Sequence, residues 1–135
     1  MKKAGWILST LLLAVTALGG LYNSVNELPD AETGWQLAVG YGQIAYGVFG
    51  ALGVVGMIRH RPWTVTVVIA WAVSSAFVAG IASFAFHDPA FAQPDTGLGV
   101  AAAAISVLVV GALVSWSAHA NTRPRAVDAP VPPAA

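Results

Sequence analysis

Cysteine is absent from this 135-residue chain, which excludes disulfide frameworks, thiolate metal sites and cysteine nucleophiles. Charge is scarce as well: Asp, Glu, Lys and Arg make up 9% of the residues, against about 25% in a soluble domain. So few charges cannot cover a water-facing surface, which argues against an ordinary soluble enzyme and against a disordered polar chain. The six Lys and Arg residues are too few and too dispersed for a nucleic-acid footprint. The motifs of common active sites are missing too, with no HExxH, no GxSxG and no phosphate-binding GxxxxGK(S/T) loop. Gly40-Tyr41-Gly42 lies inside an apolar run and makes no dinucleotide loop. What is abundant is apolar surface, at 57% of residues.

The apolar residues fall into four stretches without any Asp, Glu, Lys or Arg, at 4–26, 33–58, 62–87 and 96–122. At 1.5 Å per residue, about 20 residues of helix cross a hydrocarbon core of roughly 30 Å, so each stretch is long enough to span. Backbone groups in lipid must bond internally, which leaves helices or a closed barrel. Barrel strands alternate polar and apolar residues, and runs such as Leu11-Leu12-Leu13-Ala14-Val15 do not. The sequence therefore predicts an all-α fold, a four-helix transmembrane bundle with short loops. Its spans are expected near 5–22, 35–58, 62–86 and 97–118, followed by a disordered Pro/Ala-rich tail over 119–135. The apolar stretch from Ala4 to Tyr22 exceeds the usual 7–15 residue core of a signal peptide, so the first span is expected to be retained.

Basic residues set the expected orientation. Lys2 and Lys3 precede the first span, Arg59 and Arg61 join the second to the third, and Arg123 and Arg125 follow the fourth. With four spans all three places share one side, which the positive-inside rule makes the cytoplasm. Glu27, Asp30, Glu32, Asp88 and Asp95 fall in the two opposite loops. The expectation is a multi-pass protein of the cell membrane, plasma or bacterial inner, with both termini cytoplasmic and the lipid bilayer as its first partner. Trp6, Trp63 and Trp116 mark one interface and Tyr22, Trp35, Phe84 and Phe86 the other. Trp71 stands apart near mid-depth, where its indole N–H needs a partner.

Helices in lipid associate through close backbone packing and interhelical hydrogen bonds, so stripes of small and polar residues are the candidate contact faces. The first span offers Ser9, Leu12, Thr16, Gly19 and Asn23, and the second Gln36, Gly40, Gln43, Gly47 and Gly50. The third has Ala72, Ala76, Ala79 and Ser83, with Ser75 beside them; the fourth has Gly97, Ala101, Ala104, Leu108, Gly111, Ser115 and Ala118. Gly47, Gly50, Gly53 and Gly56 form a further strip that drifts around the second helix toward a second contact.

Gln43 is the leading single residue. It lies eight positions inside Trp35, roughly 12 Å along the helix, where an amide must find partners, with Thr16, Ser75 and Ser115 as the expected ones. Together with Gln36, Tyr41, Tyr46, Ser75 and Ser115 it forms the candidate intramembrane polar and packing site. No span carries a carboxylate, lysine or arginine at depth, the group that proton-coupled transport needs. In size and span number the chain resembles the small multidrug-resistance transporters but lacks their intramembrane glutamate, and no family is assigned. His87, Asp88 and Asp95 make a weak cluster on the outer face, read as topology and solubility rather than as a metal site. His60, His87 and His119 are not placed to give a haem two facing axial ligands, and no cofactor is expected. The expected role is a small non-enzymatic membrane protein acting through helix contacts, as an accessory subunit of another membrane protein or by self-assembly. The alternative is a transporter or channel for an uncharged or lipophilic solute with a polar waist near Gln43.

Overall fold

The computed structural model describes residues 2–85 and 96–122, with side chains over 3–82 and 101–120. Four α-helices account for nearly all of them: α1 (Lys2–Glu27), α2 (Gly34–Ile58), α3 (Thr64–Ala85) and α4 (Thr96–Thr122). Each packs along the next one in sequence, while α1 and α4 touch only sparsely. All four are long and apolar enough to cross a membrane. The fold is all-α.

Helix ends follow local chemistry. Thr33 caps α2 with its hydroxyl accepting from the Gln36 N–H at 3.2 Å, and the Gln36 side-chain oxygen accepts from the N–H groups of Thr33 at 3.1 Å and Glu32 at 2.7 Å. This is a capping box that satisfies donors a helix start leaves free. At the other end of α2, Arg61 N–H donates to Gly56 O at 3.1 Å and His60 N–H to Met57 O at 3.4 Å. Those two bonds make a Schellman turn, with His60 in the left-handed position at φ 49° that glycine usually holds. The conformation costs a side-chain-bearing residue about 1 kcal/mol. The imidazole stacks on Trp6 with ring centroids 6.1 Å apart.

Three boundaries differ from the sequence reading. The first helix runs five residues past Tyr22, to Glu27, because nothing breaks it before Pro29 restricts Leu28. Pro62 and Trp63 belong to the turn rather than to the third helix, which begins at Thr64 once the Thr64 N–H has bonded Arg61 O at 3.1 Å. The fourth helix runs to Thr122, past the expected end at 118, and its last turn holds His119, a base suited to the negative dipole end. The tail beyond Thr122 and the outer cluster of His87, Asp88 and Asp95 lie outside the described residues, as do the side chains of Ser83 and Gly97.

The α1–α2 interface pairs residues of α1, and Leu28 just beyond it, with glycines of α2. Leu28 lies over Gly40, Leu21 over Gly47, Leu13 and Ala17 over Gly50, and Leu13 again over Gly53. An i, i+3 row falls back about 60° per step on a helix of 3.6 residues per turn. The glycine strip therefore turns away from α1, and Gly56 faces Thr64 and Trp63 at the start of α3. On α3, Ala72 packs into the hollow left by Gly111 of α4. The buried core joins Leu13, Met57, Val68, Trp71, Ala72, Val114 and Ala118, drawn from all four helices. It occupies the half of the bundle next to the Arg59–Arg61 turn. There the Trp6 indole donates to Met57 O at 3.2 Å, tying the start of α1 to the end of α2.

The expected face of α1 shifts by a residue, whereas that of α4 keeps Gly111 and Ala118 and exchanges Ser115 for Val114. On α1 the buried residues are Ser9, Leu13, Ala17, Gly20 and Ser24, and only Ser9 was expected among them. A trough of glycines on α2 is filled by side chains with volume, so Leu13 and Ala17 face it rather than Thr16 and Gly19. On α4 the buried positions are Gly111, Val114 and Ala118, while Leu108 is exposed and Ser115 is half-buried.

Candidate functional site

Apart from Ser9 and Thr64, buried toward the Arg59–Arg61 end, the polar side chains inside the bundle gather in two places. The first is the α1–α2 interface near the Glu27 end. Gln43 is 5% exposed, and its Nε2 donates to the Glu27 carboxylate at 2.8 Å. The Gln43 partner is thus Glu27, reached because α1 continues as a helix to that residue, and not Thr16, Ser75 or Ser115. Hydrogen bonds to charged groups are worth about 1.5–3 kcal/mol, more than neutral ones. The other amide atom of Gln43, Oε1, is buried without a hydrogen-bond partner. Gly20 makes this contact close: a Cβ there would meet the Gln43 carbonyl oxygen at 2.8 Å and the Tyr46 ring.

The second place is a cavity of about 440 Å³ on the side of the bundle where α1 and α4 fail to meet. From α1 it is lined by Leu12, Thr16, Gly19 and Asn23. The remaining walls are Tyr46 of α2, Trp71, Ser75, Val78 and Ala79 of α3, and Ser106, Val107 and Val110 of α4. The α1 residues are four of the five that the sequence offered as a packing face. They form a wall, one residue further round the helix than the true contact.

Inside the cavity the polar groups are mostly committed. Trp71, 2% exposed, donates its indole N–H to Thr16 Oγ1 at 3.2 Å, which supplies the partner its depth requires. Thr16 in turn donates to Leu12 O at 2.8 Å, so one hydroxyl serves as donor along α1 and acceptor across to α3. Ser106 bonds its own helix at Ala102 O, 2.8 Å away. Ser75 differs, since its Oγ is buried with no hydrogen-bond partner. No charged side chain lines the cavity.

The six candidate polar residues therefore separate. Gln43 sits in the α1–α2 interface, whereas Tyr46 and Ser75 reach the cavity wall. Gln36 closes the cap of α2. Tyr41 is 64% exposed and points away from both places, and Ser115 lies half-buried on α4, one turn past Gly111. Glu27 was read from the sequence as a loop acid. The signal that would have moved it into the bundle is the unbroken helical stretch from Ala4 to Leu28, which ends only at Pro29.

Compared with protein-family models, with curated proteins and with solved structures, the chain matches none.

Proposed function

We propose that this chain is a small non-enzymatic integral membrane protein that works through its helix surfaces, as an accessory subunit or a self-assembling bundle. The observation that carries the reading is where the polar groups go. The Trp6 and Trp71 indoles and the Gln43 amide nitrogen bond inward, to Met57 O, Thr16 and Glu27. The outward surface is left apolar, with Leu8, Val15, Leu18, Ile105, Leu113 and Trp116 all exposed. A surface of that kind suits contact with lipid and with other helices. The basic residues at one end and five of the six acidic ones at the other favour a chain with both termini in the cytoplasm. Reporter fusions after Asp30, His60, Pro89 and Ala135 should read out, in, out, in. Affinity purification in mild detergent should recover either one stoichiometric membrane partner or a defined homo-oligomer. A strictly monomeric, partner-free protein would overturn the helix-contact role.

A second reading, movement of an uncharged or lipophilic solute, is favoured by the cavity. Its polar waist then lies at Thr16, Trp71 and Ser75 rather than at Gln43. Flux of neutral solutes through proteoliposomes that Ser75→Leu abolishes without lowering the melting temperature would select this reading over the first.

A further inference from the structure

The dimensions and lining of the cavity between α1 and α4 bear on what could occupy it. It follows α1 from Leu12 to Asn23, eleven residues or about 16 Å of helix. The space measures about 440 Å³. The volume lies in the range of about 300–1,000 Å³ typical of small-molecule sites. The walls are apolar over most of their area and carry no charge, and the bundle is open on this side because α1 and α4 barely touch. Left empty, such a gap would forfeit dispersion contacts along every wall.

We propose that the cleft holds one hydrocarbon chain of a membrane lipid, entering sideways between α1 and α4. This rests only on the four helices lying in a bilayer, not on either functional reading above. The chain lies along Leu12 and Gly19, with the Trp71 ring at its side. The headgroup lies toward Asn23, at the end of the bundle that also carries Glu27, Asp30 and Glu32. That end carries these three acids and no Lys or Arg in the α1–α2 loop, which disfavours an anionic headgroup, so the lipid is zwitterionic or uncharged.

Gly19 provides the test, because a Cβ there meets nothing within 4 Å. Gly19→Leu fills the cleft from α1 without touching the packed faces, and Ala79→Leu fills it from α3. The full chain, extracted in mild detergent and supplied with 1-palmitoyl-2-oleoyl-phosphatidylcholine, is examined by native mass spectrometry. Wild type should keep one phosphatidylcholine per chain after delipidating washes, and both variants should lose it at least tenfold more readily while melting no lower. Phosphatidylglycerol with the same chains should be retained at least threefold less. Chain-brominated phosphatidylcholine should quench a share of the fluorescence in wild type that Gly19→Leu does not lose. Equal lipid retention by wild type and both variants overturns the site, equal retention of the two headgroups overturns the headgroup assignment, and a lipid-free dimer overturns the occupant. Release of the protein from membranes by alkaline carbonate would instead overturn the bilayer placement on which the site rests.

Discussion

Gly20→Ala should destabilise the bundle while Gly19→Ala, one residue earlier, should stabilise it. Both changes replace a helical glycine, which favours the helix by about 1 kcal/mol in each case. The surroundings decide the sign. At Gly19 an added Cβ enters open space, so the propensity gain survives. At Gly20 it meets the Gln43 carbonyl oxygen at 2.8 Å and the ring of Tyr46. A ring can swing aside, but a backbone carbonyl moves only if α2 moves. Overpacking of this kind costs about 1–3 kcal/mol for small insertions, and the backbone obstacle places Gly20 toward the upper end. The two variants should therefore differ by about 2 kcal/mol or more in unfolding free energy, with opposite shifts in melting temperature. Thermal unfolding in detergent measures it. Coincident melting curves would mean that α1 and α2 do not approach as closely as Gly20 requires. Gly111→Ala extends the test to α3–α4, where the new Cβ would collide with that of Ala72.

Gln43→Glu should be the most damaging conservative change in the chain. It swaps an amide donor for a carboxylate at a site 5% exposed, 2.8 Å from the Glu27 carboxylate. The bond is lost, and a buried carboxylate faces the half-buried one of Glu27. Leaving a buried charge uncompensated typically costs about 3–5 kcal/mol. At neutral pH the variant should be recovered poorly or melt far below wild type. Glu27→Gln added to it restores a carboxylate–amide pair with the roles exchanged, and should recover most of the loss. Gln43→Leu should fall between, losing a bond worth about 1.5–3 kcal/mol but also removing the unpartnered Oε1. The readout is a double-mutant cycle on thermal unfolding in detergent. If Glu27→Gln fails to rescue Gln43→Glu, the two side chains are not partners.

The four helices were legible in the sequence because absence of charge over more than twenty residues is a strong signal that no tertiary contact can reverse. The glycine face of α2 was legible for a similar reason: Gly40, Gly47 and Gly50 recur at helical spacing among larger residues. The matching face of α1 was not. Searching each helix separately for small residues finds holes, but a hole is filled by a knob, and the knobs are Leu13 and Leu21 of α1 and Leu28 just beyond it. The residues that the search selected, Leu12, Thr16, Gly19 and Asn23, line the cavity instead. Gln43 was singled out for its depth along the helix, yet its partner was misplaced, since Glu27 looked like a loop acid until the length of α1 was known. The Trp71 bond to Thr16 was half-legible. The sequence showed that an indole at that depth needs an acceptor, but which helix supplies it depends on how α1 is rotated against α3.

The tie between Trp6, Met57 and His60 secures only one end of the bundle. Opening free energies within a protein follow local contact density, so amide hydrogens need not exchange at one common rate. Those of α1 near Leu13 and of α4 near Val114 lie in the filled half, where exchange requires separating all four helices. Those near Gly19 and Val107 flank the cleft, where α1 and α4 can part without breaking the core. Hydrogen exchange should accordingly run as a gradient along α4, slowest beside the Arg59–Arg61 turn, and that helix should behave as a fixed strut at one end and a compliant arm at the other.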